Sequence, residues 1–221
     1  PWVFNDRQKI YDTLDSEVGQ KLLETVSSAN MKGLGYFENG IRHLSSNREI
    51  NSMSDLKGLK IRVMENDVQL AAWSAMGCNP APLAFGEVYT ALQQKTFDAQ
   101  ENPMELIYNT KFYEVQPYIV ETNHLAHMMV FTMNKALYDS LPDNVKSLVD
   151  SCAADALQAT RDAADDAIAE YKKTITDAGS QIITLDDAVL TEMQEKAQPV
   201  YDKVRADLGD ELVDTLLAAT K

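Results

Sequence analysis

Between Pro142 and Gly179 the chain contains no glycine or proline. Apolar residues recur through this stretch at steps of three and four: Val145, Leu148, Val149, Cys152, Ala156, Ala163, Ala167, Ile168, Tyr171 and Ile175. That period lays one side of an α-helix against a core. Pro142 suits the start of such a helix and Gly179 the position just past its end. About 36 residues at ~1.5 Å each make a rod of roughly 54 Å, longer than a small domain is wide. The spacing therefore predicts a helix over about 142–179 that passes from one lobe of the molecule to another. A coiled-coil arm is the weaker reading, because the stripe is rich in alanine and lacks repeated leucine at alternating a and d positions.

The remaining segments alternate in type. Asp15-Ser16 can cap a helix through Gly19–Ala29, with Val18, Leu22, Leu23 and Val26 as its stripe. Met31–Glu38 reads as a strand, and Gly40 with the polar run Ser45–Ser54 as a loop. Leu59–Met64 is a short apolar strand, Asp67–Met76 a helix stopped by Gly77, and Asn79–Phe85 an extended segment with two prolines. Gly86–Gln94 is expected as a helix, Thr96–Ala99 as a short strand and Val115–Phe131 as β structure. A strand at Gln181–Leu185 precedes a helical region, Asp187–Lys221, that Pro199 and Gly209 should break or kink. This alternation predicts an α/β layer architecture.

Composition narrows the function classes. The net charge of −14 leaves no basic surface with which to displace counterions from a nucleic acid. No apolar run is long enough to span a bilayer. No basic segment followed by an apolar stretch opens the chain, so it is expected to be cytoplasmic or an exported chain from which a signal has been removed. Cys78 and Cys152 belong to no CxxC pair, and both are expected to be inert packing residues. His124 and His127 are too weakly patterned to suggest a metal site.

Arg62 is the residue that most needs an explanation, since it lies between Ile61 and Val63 on a short apolar strand. On an exposed edge it would be a solvated charge. Pointed into a cleft, its planar guanidinium could grip a carboxylate with two parallel hydrogen bonds. Asn102 precedes Pro103, which pushes it towards an extended backbone from which an amide could meet an anion; a plain turn residue is the alternative. There is no GxSxG elbow, no HExxH and no glycine-rich phosphate loop, so hydrolytic readings have little support.

Taken in order, several stretches resemble one family: Gly40–Arg42, Ser45–Asn51, Asp55–Asn66, Asn79–Gln93, Asp98–Pro103 and Thr122-Asn123-His124. It is the DctP-type solute-binding protein of tripartite ATP-independent periplasmic (TRAP) transporters, close to the branch of sialic-acid and sugar-acid binders. The resemblance covers nearly the whole chain.

It implies a two-lobed periplasmic-binding-protein-like α/β fold with the long helix running along both lobes. The first lobe would comprise 1–39 and 128–167, and the second 40–127 and 168–221. It further implies that Arg62, in the K-[IL]-R-V strand, salt-bridges a ligand carboxylate. Arg42 would assist, the amide of Asn102 would bind the same group, and Phe85 would pack on the ligand, with Glu65 and His124 approaching it. No cofactor, metal or catalytic residue is implied. The implied partners are a small organic acid, such as a uronate, a sialate or a C4-dicarboxylate, and the membrane permease subunits of the transporter; the implied location is the periplasm. Ala99 stands where the family's VDGQENP motif has glycine. Relatives carry a further strand–helix region ahead of this chain's first residue, so the first lobe is expected to be incomplete here. An enzyme acting on a small carboxylic acid is the alternative function, and a purely structural helical partner a third.

Overall fold

The computed structural model describes residues 1–4 and 6–219. Among the described residues, six strands form a single mixed sheet: β1 Met31–Ser46, β2 Lys60–Val63, β3 Asn79–Pro82, β4 Ala99–Pro103, β5 Tyr118–Asn134 and β6 Gln181–Thr184, in the order β3-β2-β4-β1-β5-β6. β2 runs parallel to β3 and β4, β1 is antiparallel to β4 and β5, and β5 is parallel to β6. The helices are α1 Arg7–Asp15, α2 Glu17–Glu24, α3 Asp67–Ala75, α4 Val88–Gln93, α5 Met104–Asn109, α6 Lys135–Ser140, α7 Asp143–Asp177, α8 Asp187–Leu208 and α9 Asp210–Ala219. The expected α/β class is what forms.

Strand alternation sorts two cores onto the two faces of the sheet. Ile61, Val63, Ala99 and Val120 pack with Trp73 of α3 and with Met193 and Ala197 of α8. Ile119, one residue from Val120, packs instead with Val88 and Leu92 of α4, Ile107 of α5 and Ile175 of α7. A third cluster joins Ile10 and Leu14 of α1, Leu23 of α2 and Tyr36 of β1. Where α1 gives way to α2, Gly19 lies so close to the Leu14 backbone that a Cβ there would fall 1.9 Å from the Leu14 carbonyl oxygen.

Several sequence expectations are corrected. β1 does not stop at Glu38; it continues through Gly40 to Ser46. A bulge between Glu38 and Ile41, with Gly40 at φ +100, absorbs the irregularity. The polar residues beyond it stay in the strand because β4 and β5 flank them and Ser45 has a polar partner, Gln100, whose Nε2 donates to its Oγ at 2.7 Å. The strand expected at Thr96–Ala99 begins only at Ala99 and extends to Pro103. The helix expected through Gly19–Ala29 is capped by the Ser16 hydroxyl but ends at Glu24, and a 3-10 turn follows at Thr25–Ala29. α8 passes through Pro199 without ending, held by the buried Ala197 and Val200 on either side; Gly209, at φ +86, does end it. Thr220 and Lys221, at the end of the expected helical region, lie outside the described residues. β3, with Pro80 and Pro82, is an edge strand, where missing N–H groups are tolerated.

α7 runs 35 residues, close to the predicted span. It is tied to α1 by Arg161, whose two terminal nitrogens donate to Asp15 at 2.6 and 2.9 Å, and by the Arg7–Asp165 pair. Further along, Lys172 pairs with Glu121 of β5 at 2.5 Å. Cys78 is buried as expected, but Cys152 is exposed on α7, where its position in the stripe is not covered by the described residues.

Candidate functional site

Where β1 and β4 pair, Arg42 stands opposite Pro103 and Leu44 opposite Glu101. Arg42 and Glu101 are both wholly buried. The guanidinium forks onto the carboxylate, Nε donating to Oε2 at 2.5 Å and Nη2 to Oε1 at 2.9 Å. Nη2 also reaches the Glu101 carbonyl at 2.6 Å and Asn102 Oδ1 at 2.9 Å, while Nη1 lies 2.9 Å from His127 Nδ1. Burial pushes the Glu101 carboxyl upward, but hydrogen bonds from His124 and Arg42 outweigh it and leave the group below the usual carboxylate range. Glu101 is therefore ionised.

An ionised carboxylate only accepts, so His124, 2.9 Å from Glu101 Oε2, must carry its proton on Nε2. Its Nδ1 then accepts from the Thr122 hydroxyl at 2.8 Å. Burial holds the ring's pKa below its ordinary value against the pull of Glu101. Trp2 and Trp73 stand beside the ring, with centroids at 6.0 and 5.0 Å.

Arg62 lies one strand further along, opposite Gln100 across the β2–β4 pair. It is buried, not the solvated edge charge that its sequence left open. Nε and Nη2 both donate to the Leu83 carbonyl, at 2.8 and 2.6 Å, so the residue just after β3 pins one edge of the guanidinium. Nη1 is buried with no hydrogen-bond partner among the described residues. Burial lowers this arginine's pKa; Glu101 raises it and Arg42 lowers it, so the three charges sense one another. Asn102 joins Arg42 to the residue opposite Arg62: Oδ1 accepts from Arg42, and Nδ2 donates to Gln100 Oε1 at 2.5 Å.

The structure thus brings Arg42, Asn102 and His124 into one bonded cluster, with Arg62 on the neighbouring strand. Phe85 follows two residues after Leu83, is 44% exposed, and meets Phe112 edge-on at 6.1 Å. Glu65 is exposed in the bend between β2 and α3 and makes no hydrogen bond or ion pair among the described residues. Sequence reasoning missed Glu101, His127, Gln100 and Thr122. For Glu101 a signal existed: a carboxylate beside Asn102 in a five-residue strand faces the opposite side and needs its own cation if that side is buried.

Two guanidinium charges stand against one carboxylate, leaving an excess of one positive charge in a chain of net charge −14. The unpartnered Nη1 and the second Nη2 hydrogen of Arg62 form an end-on edge suited to a carboxylate. Among the described residues, no cluster of His, Cys, Asp and Glu could hold a metal ion, and no helix is long and apolar enough to cross a membrane.

Residues 1–207 match the DctP family, described as bacterial extracellular solute-binding protein, family 7. The 2,3-diketo-L-gulonate-binding periplasmic protein YiaO of Escherichia coli is 35% identical over 189 residues, 83% of this chain and 56% of that protein. The C4-dicarboxylate-binding periplasmic protein DctP of Vibrio cholerae is 33% identical, over 100% of this chain and 67% of that protein. A TRAP periplasmic solute-binding protein from Shewanella oneidensis with bound succinate superposes with a TM-score of 0.92 at 33% identity, covering 100% of this chain and 73% of that one. The sugar acid binding protein DctPAm of Advenella mimigardefordensis, in complex with galactonate, gives 0.91 at 34% identity, covering 100% and 71%. The chain spans about half the length of several curated relatives it matches, 43%, 50% and 56% of three of them. With the family model matching residues 1–207 of this chain and the fold shared along the whole of it, the chain belongs to family 7 of the bacterial extracellular solute-binding proteins.

Proposed function

We propose that this chain forms the larger part of the periplasmic solute-binding subunit of a TRAP transporter, and that it captures a small organic acid on Arg62. The observation that carries this reading is the state of that guanidinium: one edge is pinned on the Leu83 carbonyl, and Nη1 is buried without a partner among the described residues. A buried, unsatisfied cationic donor is costly, and a ligand carboxylate is the group that would satisfy it. Asn102 would complete the carboxylate site, with Arg42 neutralised by Glu101 and serving to orient that amide. His124 would hold Glu101 in place, Phe85 would offer its exposed ring to the carbon skeleton, and Glu65 would lie at the margin.

Because Nη1 is enclosed, entry of an acid requires the surrounding residues to part. Two lobes, 1–39 with 128–167 and 40–127 with 168–221, opening about the β1–β5 crossing and α7, would provide that motion. The closed form would be what the permease subunits recognise. Relatives bound to succinate, galactonate and D-erythronate support sugar acids and C4-dicarboxylates as the ligand class.

Isothermal calorimetry of the full-length protein with galactonate and succinate tests the proposal. Removing one partner of a buried charge pair costs about 3–5 kcal/mol, so Arg62→Ala should weaken binding by roughly a few hundred to a few thousand times. Arg62→Lys should not restore it, since an ammonium cannot reproduce the two-pronged contact. Unchanged affinity in Arg62→Ala would refute the assignment. Ligand recovered unaltered after incubation would tell against an enzyme.

A further inference from the structure

We infer that His127 is a second ligand-reading residue of this site, a fixed neutral N–H donor that selects acids carrying a hydroxyl or keto oxygen away from a single carboxylate. The inference rests on the proposed function above and narrows its ligand class.

Two nitrogens converge on His127 Nδ1: Arg42 Nη1 at 2.9 Å and Asn39 Nδ2 at 3.1 Å. A guanidinium can only donate, so Nδ1 presents its lone pair and the ring proton must sit on Nε2. Burial and the adjacent Arg42 cation both hold the ring's pKa below its ordinary value, with Glu101 opposing, so the ring is neutral near pH 7. His124, three residues earlier, has the same tautomer, but both its nitrogens are used, on Glu101 and Thr122. His127 Nε2–H has no partner among the described residues, yet the ring is only part-buried and Nε2 is not among the sealed, unpartnered polar atoms. A donor that is fixed in tautomer, unspent and reachable is a recognition group.

Placement indicates what it reads. Arg62 is on β2 and His127 on β5, with β4 and β1 between them. Three inter-strand steps of about 4.8 Å put their strands roughly 14 Å apart, and the register adds an offset along the strands, because the row of Arg62 meets β5 at Ile119, eight residues before His127. A chain of bonded side chains, Gln100, Asn102 and Arg42, runs between the two strands. A ligand that touches both ends must therefore be extended, with its carboxylate at Arg62 and another oxygen at His127. That second oxygen is neutral on charge grounds. The cluster's excess is a single positive charge, which one carboxylate already matches. A second anion would meet only an uncharged imidazole, with Glu101 nearby. A polyhydroxylated sugar acid fits this pattern; a short dicarboxylate does not.

Two variants separate donation to the ligand from support of Arg42. His127→Asn keeps an oxygen where Nδ1 accepts from Arg42 but removes the distal donor. His127→Gln extends an N–H towards the Nε2 position. Calorimetry of the full-length protein with galactonate, gluconate, galacturonate and succinate should show His127→Asn weakening the best-bound sugar acid about tenfold, as for one lost hydrogen bond, with succinate within about twofold of its starting value. His127→Gln should stay within about threefold for both. With 15N-histidine, adding that sugar acid should shift the His127 Nε2–H resonance, which a purely structural residue would not show. Equal losses for sugar acid and succinate in His127→Asn, or an unmoved resonance at saturation, would overturn the inference while leaving acid binding intact. Heat from none of the four acids with the unsubstituted protein would overturn the proposed function, and this inference with it.

Discussion

Replacing Glu101 by glutamine removes one charge and almost no volume from the fully buried Arg42–Glu101 pair. The new amide oxygen can still accept from His124 or Arg42, so the loss falls on the Arg42 cation, which is left in a dry site. Breaking a buried pair in this way costs about 3–5 kcal/mol. At roughly 2–4 °C per kcal/mol for a chain of this size, the melting point should fall by about 6–20 °C. Adding Arg42→Met removes the stranded cation and keeps an unbranched apolar stem. The double variant should therefore be more stable than Glu101→Gln alone, though still below the parent, because Asn102 Oδ1 and His127 Nδ1 lose a donor. Urea unfolding followed both by far-UV circular dichroism and by tryptophan emission measures this cycle, since Trp2 and Trp73 flank His124. A Glu101→Gln variant within about 1 kcal/mol of the parent, or a double variant less stable than that single one, would refute the reasoning.

Burial pushes the pKa of His43 down to about 3, and its Nδ1 has no partner among the described residues. Between pH 6.5 and 5 the unfolded chain binds a proton here that the native state refuses, so stability falls as pH falls, by up to about 1.4 kcal/mol per unit. His43→Gln should flatten that slope in urea melts at pH 6.5 and 5.5 by about three-quarters of a proton; an unchanged slope would count against it. Gly19→Ala should cost at least ~1–3 kcal/mol, since its Cβ would meet Leu14 backbone that cannot step aside, and thermal melts would register it. A thiol reagent under native conditions should label Cys152 alone, because Cys78 is buried with its thiol pushed up to about 12; two equivalents reacting at once would contradict that.

The long helix was legible because its signal is local: 35 residues of period and no breaker. β1 was misjudged beyond Glu38 because polar residues in a strand are stable only when neighbouring strands supply partners, and Ser45 finds its partner in Gln100, 55 positions away. Pro199 was expected to break or kink α8, and the helix continues through it for the converse reason. Local propensity disfavours it, but a helix face packed through Met193, Ala197 and Val200 outweighs one lost hydrogen bond.

The site shows the same limit in chemical form. Residue type and strand position marked Arg62 as able to grip a carboxylate, and the family resemblance placed Arg42 beside it as an assistant, without the neighbours that separate the two. The fold tells them apart through what lies on the adjacent strand. Beside Arg42, β4 places Glu101, and the fork is filled from within the protein. Beside Arg62, β4 places Gln100, a neutral amide already turned to Ser45 and Asn102, and the acceptor that Arg62 finds is a backbone carbonyl that takes one edge. One guanidinium is thereby paired within the protein, and the other keeps a buried Nη1 with no partner among the described residues. Exchanging their surroundings should exchange their roles: Gln100→Glu would put a carboxylate beside Arg62, cancel the cluster's excess positive charge and abolish acid binding while the fold persists. An acid bound as tightly by that variant as by the parent, in calorimetry, would show that Arg62 is not where the anion docks.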